Sequence, residues 1–372
     1  MATRKKDRAP ALSGAASRND DLGYPIFVSK GPGDEQTAFL SRSGPVALVL
    51  CDAQRGVRAL ADEFAATLGR APVAAFVLGE ARKRLTTVER VLDAMLAAGV
   101  ERGSLVLGVG RGVASDLFGF SCATYMRGVR YAHVATSLVA MVDAAIGGKT
   151  AVDLRGGKNL AGAFADPVGV FCNVDALQTL PETGLREGLA EIVKAAIIEG
   201  GDLFELLEEL SPHPLRSWPW LEVIAAAIKV KTMAVADDRL EAGSRATLNL
   251  GHTFAHAIER ASKYRVSHGA AVALGLRAAG LLALRTGRFS QAGHLRVLTL
   301  LALGGLPLQT SLAPEAIAAA MRSDKKRRGG SSRFVLPRAI GDVEYGVACN
   351  DRTVRAVLSA LARPPERIRA RR

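Results

Sequence analysis

The sequence predicts a doubly wound α/β half followed by a helical half, and three observations carry that reading. Three short apolar runs alternate with helical patterns over residues 46–109. A glycine-rich turn follows the third run. Beyond about residue 178 strand-like runs give way to long Ala/Leu/Glu/Lys helical periodicity. Strand–helix–strand–helix–strand is the pattern of a nucleotide-binding parallel sheet.

Residues 1–22 are polar and Gly/Ser/Ala-rich, and are expected to be disordered, with the fold starting near Tyr24-Pro25-Ile26. Val46–Leu50, between Gly44-Pro45 and Asp52, reads as a buried parallel strand. A helix through Val57–Leu68, a strand over Val73–Leu78, a helix over Thr86–Ala98 and a strand over Ser104–Val109 follow. The second half predicts helices over Glu182–Glu199, Leu203–Leu210, Trp220–Ala236, Ala246–Ser262 and Ala270–Leu284. The boundary falls near Leu177–Leu180, before Pro181, giving domains over 23–178 and 179–362 and a basic tail over 363–372.

A chain of 372 residues suits two domains, and 49 % hydrophobic with 23 % charged residues gives ample core. Cys51, Cys122, Cys172 and Cys349 form no CxxC pair, which suits reduced thiols in the cytoplasm. The net charge of +13 is concentrated in residues 1–30, 322–338 and 353–372, at +3, +6 and +5. Basic ends on a near-neutral body are solvated segments and not a nucleic-acid face. Met1–Asp21 lacks the apolar core of a secretory signal, and Ala271–Leu284, broken by Arg277, reads as a buried helix and not a membrane span.

Chemistry concentrates around Asn249-Leu250-Gly251-His252-Thr253-Phe254-Ala255-His256, followed by Ser267-His268-Gly269. His252 and His256 are four apart and fall on one helix face. With His268, and with Glu191 in Gly188-Leu189-Ala190-Glu191-Ile192-Val193-Lys194, they can supply two imidazoles and a carboxylate to a metal. The competing account is that histidines at this spacing are partly buried polar residues of an amphipathic helix. Three of the six histidines of the chain fall in this window; spacing alone leaves the second account ahead, and the rest of the sequence raises the metal.

The third strand runs into Gly108-Val109-Gly110-Arg111-Gly112-Val113-Ala114-Ser115-Asp116, a strand-to-helix turn suited to phosphate. Arg127, Lys149, Lys158, Lys194, Lys231 and Arg245 add cations fit for a small, polyoxygenated anion.

Taken together, these motifs resemble those of the 3-dehydroquinate synthases, within the wider sugar-phosphate cyclase family. The resemblance spans about Val46 to Gly341 and is densest in Gly110–Phe120, Tyr125–Gly128, Asp143–Thr150, Gly156–Asn159, Gly188–Lys194 and Arg245–Gly269, with a late stretch at Asp324-Lys325-Lys326 and Arg333–Leu336. It implies an α/β N-terminal Rossmann-like domain and an all-α C-terminal domain with the site between them. The implied reaction converts the sugar acid phosphate DAHP to 3-dehydroquinate and phosphate. It proceeds by transient oxidation by NAD, phosphate elimination, reduction and intramolecular aldol closure, with a divalent metal, zinc or cobalt.

By the same resemblance Glu191, His252 and His268 are the metal ligands. Asp143, Lys149, Asn159, Lys194, Lys231 and Arg245 bind the substrate's hydroxyls and carboxylate. Asn249, His256, Lys325 or Lys326, and Arg127 from a second subunit of a homodimer surround the phosphate. Asp52, Glu80, Lys83, Gly110, Gly112, Asp116, Thr136, Ser137 and Lys158 fall on the NAD side. Several positions depart from the family pattern: Arg111 and Ser115 stand where glycines are usual, Arg239 replaces an acid, Ala270 a glutamate and Ala135 a proline. The rival readings are a secondary-metabolism cyclase, aminodehydroquinate synthase among them, a metal- and NAD-dependent alcohol dehydrogenase, and a non-catalytic paralogue. Leu248, Asn249, His256 and Lys231 are of the dehydroquinate type and disfavour sugars without a carboxylate.

Overall fold

The computed structural model describes residues 16–327 and 333–365, with the side chains of 323–327 excepted. In chain order the strands are β1 (Ala16–Asn19), β2 (Ile26–Ser29), β3 (Val46–Asp52), β4 (Val73–Phe76), β5 (Leu105–Gly110), β6 (Arg130–Ala135), β7 (Lys149–Leu154), β8 (Gly157–Phe164), β9 (Val170–Asn173), β10 (Arg333–Ala339) and β11 (Asp342–Ala348). The helices of the first half are α1 (Asp34–Ser43), α2 (Arg55–Thr67), α3 (Leu85–Ala97) and α4 (Gly112–Thr124). Those that follow are α5 (Ala176–Thr179), α6 (Glu182–Glu199), α7 (Gly201–Leu210), α8 (Trp220–Asp237), α9 (His252–Ala261), α10 (His268–Arg285), α11 (Gln291–Leu303), α12 (Pro314–Arg327) and α13 (Asp351–Leu361).

Alternation along the central strands decides which helices cover which face. In β3, Leu48 and Leu50 join a core with Val88 and Val91 of α3 and Leu117 and Phe118 of α4. Val49 and Cys51, between them, join Leu40 of α1 and Phe64 of α2 on the opposite face. Both faces are therefore buried, as a parallel sheet requires. The sheet has seven strands in the order β1-β2-β9-β6-β5-β3-β4, parallel except for β1. The carboxyl ends of β3, β5 and β6 bring Asp52, Gly110 and Ala135 to one edge.

A third core runs from Ile26, Val28 and Cys172 of the sheet into α6, α8, α9 and α10. Between sheet and helices lies a short π-helical turn, Ala140–Ala144, packed on α4, α6 and α8 and carrying Asp143. Such turns re-aim side chains that a regular helix would point elsewhere.

The structure corrects the sequence reading in three places. Residues 16–22, expected to be disordered, begin with β1, which pairs with β2; Arg18 stacks on Phe27 (5.2 Å) and Thr232 on α8 bonds to Asp21 (3.1 Å). These contacts with distant segments have no local sequence signal. The single helix expected over Ala246–Ser262 is instead a 3₁₀ turn, Ser244–Asn249, and then α9, broken at Gly251 in the left-handed region (φ 78°). The helical half also holds a β10–β11 hairpin docked on α6 and α10, where Phe334 stacks on Phe254 at 5.3 Å.

Close backbone approach fixes where α9 starts. A Cβ at Gly275 on α10 would lie 2.3 Å from the carbonyl oxygen of Gly251, and one at Gly251 would lie 2.9 Å from the amide of Leu276. Gly275→Ala should therefore destabilise the protein by about 1–3 kcal/mol, as overpacking of a tight contact does. Urea unfolding checks this; an unchanged midpoint would show that α9 moves aside without cost.

Candidate active site

Three helices place a carboxylate and two imidazoles together. Glu191 sits in the middle of α6 with 1 % of its side chain exposed. His252 and His268 open α9 and α10. The start of α10 is fastened to α6 one turn before Glu191, because Glu187 accepts from the Gly269 amide (2.6 Å) and from the Ser267 hydroxyl. Glu191 Oε1 then lies 3.0 Å from His268 Nε2 and 3.6 Å from His252 Nε2. Ligand atoms of all three residues lie within 4.8 Å of one another.

Hydrogen bonds behind the rings orient them. His252 Nδ1 is 3.2 Å from the Leu250 carbonyl, which only accepts, so the proton sits on Nδ1 and the Nε2 lone pair faces Glu191. His268 Nδ1 lies 3.6 Å from Glu259. Burial, reinforced by Lys194, lowers the His252 pKa to about 3, so the ring is neutral. Burial works against charge on His268 as well, but the carboxylates of Glu191 and Glu259 outweigh it and raise its pKa to about 10. Burial opposes the charge on Glu191, yet the Lys194 ammonium and the protonated His268 ring outweigh it and hold its pKa well below the usual range. His256 stands beside this group, its ring 5.4 Å from that of His252.

Cations continue from the triad towards the sheet. Lys194 Nζ lies 2.6 Å from Glu191 Oε2, and Lys231 Nζ donates to Asp143 Oδ1 at 2.5 Å. Arg245 is 1 % exposed, and its guanidinium donates to the carbonyls of Arg239 (2.5 Å) and Gly147 (3.2 Å). Lys149 pairs with Glu241, which also accepts from Asn249 (2.6 Å). Burial, then repulsion from Arg245 and Lys231, lowers the Lys149 pKa to about 8.

On the sheet edge, α4 begins at Gly112 with no side-chain cap, leaving its first amides to an outside acceptor. Gly110 admits no side chain, since a Cβ there would lie 2.4 Å from that of Ala114. Lys83 is buried between Asp116 and Asn159, donating to the latter at 2.6 Å, so Asn159 joins this group. Thr136 Oγ1 is buried with no partner among the described residues, and Ser137 Oγ accepts from the Ala140 amide at 3.4 Å. Lys158 spans the two sides, 2.8 Å from Glu80 and 3.3 Å from Glu259.

One predicted residue stands apart. Arg127 lies past the far end of α4, about 20 Å of helix from Gly112, and is exposed. Lys325 and Lys326 fall in α12, but their side chains lie outside the described residues. Four of the five departures from the family pattern are absorbed locally. Ser115 bonds back to the Gly112 carbonyl at 2.8 Å, Arg239 pairs with Asp166, and Ala135 is buried in register with Cys172. Arg111 turns towards Asp52, at 3.7 Å.

Sequence reasoning missed Glu187, Glu241 and Glu259. A signal existed for Glu259, which follows His252 and His256 at the i, i+4, i+7 spacing of one helix face. For Glu187 and Glu241, whose partners come from distant segments, there was none.

The Asp143–Lys231 pair yields a pH prediction. Burial opposes the Asp143 charge, but Lys231 and Lys194 hold its pKa down to about 2, below the ordinary 3.8. A depressed acid contributes stability above its unfolded pKa and loses it as pH falls through the folded one. Asp143→Asn leaves Lys231 unpaired and should cost about 3–5 kcal/mol at neutral pH. The penalty should shrink as pH falls through the window from 3.8 towards about 2. Urea unfolding across acid and neutral pH measures it; a penalty independent of pH would contradict the pairing.

Comparison with known proteins agrees with this geometry. The family model for the N-terminal part of 3-dehydroquinate synthase matches residues 73–187, and that for its C-terminal part matches 188–327. The 3-dehydroquinate synthase of a Synechococcus strain is 41 % identical over 293 residues, covering 77 % of this chain and 80 % of the relative. That of Gloeobacter violaceus is 39 % identical over 348 residues, covering 91 % and 96 %. Among solved structures, 2-epi-5-epi-valiolone synthase from Streptomyces hygroscopicus, with NAD+ and Zn2+ bound, is 30 % identical with a TM-score of 0.82, covering 95 % of this chain and 99 % of its own. A protein from Sinorhizobium meliloti described as a probable glycerol dehydrogenase, at 18 % identity and a TM-score of 0.57 over 91 % and 96 %, has the same fold. Both halves match in order, and the chain belongs to the 3-dehydroquinate synthase family.

Proposed function

We propose that this chain is a 3-dehydroquinate synthase, converting DAHP to 3-dehydroquinate and phosphate with NAD and one divalent ion, zinc or cobalt. The observation that carries the reading is the Glu191–His252–His268 triad, continuous with the Lys194, Lys231 and Arg245 cations. Two imidazoles and a carboxylate, each held from behind, suit zinc or cobalt. The uncapped start of α4 and the unpartnered Thr136 hydroxyl suit a dinucleotide. When bound, NAD supplies a hydride acceptor and donor, and the ion polarises the substrate's hydroxyls.

The chain's own residues hold one flexible molecule through several steps, a positioning task. Asp143, Lys149, Asn159, Lys194, Lys231 and Arg245 bind its carboxylate and hydroxyls, with Asp143 holding Lys231 in place. Asn249 and His256, beside the triad, take the phosphate, together with Lys325 or Lys326. Gly110, Gly112, Asp52, Glu80, Lys83, Asp116, Thr136, Ser137 and Lys158 bind NAD. We place the division between the domains at 178/179 and infer a cytoplasmic homodimer, in which Arg127 serves the second copy's site. Among the described residues no helix is long and apolar enough to cross a membrane.

Purified protein with NAD, zinc and DAHP should release phosphate and 3-dehydroquinate without accumulating NADH. Turnover of sedoheptulose 7-phosphate in preference to DAHP would overturn the assignment. Lys149→Ala should slow DAHP turnover by about 10- to 100-fold, the loss of a charged hydrogen bond. Zinc content gives a separate check: Glu191→Gln and His268→Ala should lose the ion, whereas His256→Ala should retain it. Loss of zinc from the last variant alone would reassign the ligands.

A further inference from the structure

We propose that Arg111 sets the cofactor preference of this chain, and that its site accepts the 2′-phosphorylated dinucleotide NADP as well as NAD. The proposal rests on the cofactor reading above and deepens it.

Asp52 ends β3, the neighbour of β5, and the glycine turn ends β5. In doubly wound dinucleotide sites an acid in this relation receives the adenosine ribose hydroxyls, and its charge repels a phosphate in their place. Asp52 is 3 % exposed, so solvent does little to dissipate that charge. Arg111 changes the balance. Its Nη2 lies 3.7 Å from Asp52 Oδ2, beyond hydrogen-bond length, and no other side-chain partner of Arg111 is present among the described residues. The guanidinium thus offsets the carboxylate while its donors stay directed at the same spot, with 39 % of the side chain exposed.

The other acids that the cofactor reading puts on this edge, Glu80 and Asp116, are each paired with a lysine, Lys158 and Lys83. Helix α2 starts at Arg55, just beyond Asp52, with no side-chain cap and no acidic residue in its first turn. A phosphate monoester placed there meets Arg111 on one side and a helix N-terminus on the other. The backbone of Arg111 is extended (φ −85°, ψ −177°), a conformation open to any residue. Glycine at this position therefore relieves no strain, and a substitution reads the side chain alone.

Isothermal titration of the full-length, zinc-loaded protein with NAD+ and NADP+ tests this. Wild type should bind both nucleotides within about tenfold of each other, a gap of about 1.4 kcal/mol or less. Arg111→Gly should weaken NADP+ by about 10- to 100-fold, the loss of a charged hydrogen bond to phosphate, and leave NAD+ nearly unchanged. Arg111→Lys, which keeps the charge without the planar fork, should fall between them for NADP+. It also decides the matter if the glycine variant does not fold. NAD+ binding with NADP+ excluded from wild type overturns the proposal and leaves the cofactor reading intact. Equal loss of both nucleotides in the lysine variant, or unchanged NADP+ affinity in a folded glycine variant, also overturns it. If wild type binds neither nucleotide, the cofactor reading falls, and the proposal with it.

Discussion

A carboxylate taken out of water on its own costs several kcal/mol and would simply stay protonated. Glu191, with 1 % of its side chain exposed, escapes that fate because the Lys194 ammonium and the protonated His268 ring lie against it. Lys194 is one turn along the same helix, so α6 alone supplies that pair. The imidazoles come from two other helices, and both are set at helix starts, where a small shift of the chain would carry them away. The assembly of the triad therefore depends on where α9 and α10 begin.

Those starting points are fixed by packing without side chains. Gly251 and Gly275 let α9 and α10 touch backbone to backbone. At Gly269 a Cβ would lie 2.4 Å from the Cα of Glu187, and the Glu187 carboxylate takes up the Gly269 amide. Stability and site geometry are thus the same set of contacts. Glu187 fastens the helix that presents His268, and one turn later the same α6 presents Glu191. The cluster then extends through Lys194 to Asp143, which reaches it from the sheet side on a π-helical turn.

The sheet edge is joined to the triad mainly through Lys158, whose ammonium bridges Glu80 near the glycine turn and Glu259 on α9, and lies 4.6 Å from the centre of the Tyr264 ring. The β7–β8 hairpin delivers Lys158 to the helical half and Asn159, with its left-handed backbone (φ 54°), to Lys83. Two neighbouring residues at the start of β8 thus serve opposite sides of the cleft.

Local sequence determined what depends on neighbours along the chain. The alternating apolar runs gave β3, β4 and β5, and helical periodicity gave α2, α3, α6, α8 and α10 almost to their ends. The motifs that carry the family resemblance named the residues that meet at the triad. Tertiary structure decided what depends on partners distant in sequence. It ordered β1 through Phe27 and Thr232, broke the helix at Gly251, and folded Arg333–Ala348 into a hairpin against Phe254. It also turned Arg111 onto Asp52 and gave Lys149 and Asn249 a common partner in Glu241. Periodicity records which face of an element is buried, but neither the segment that covers it nor the charge brought opposite; only the packed chain settles those.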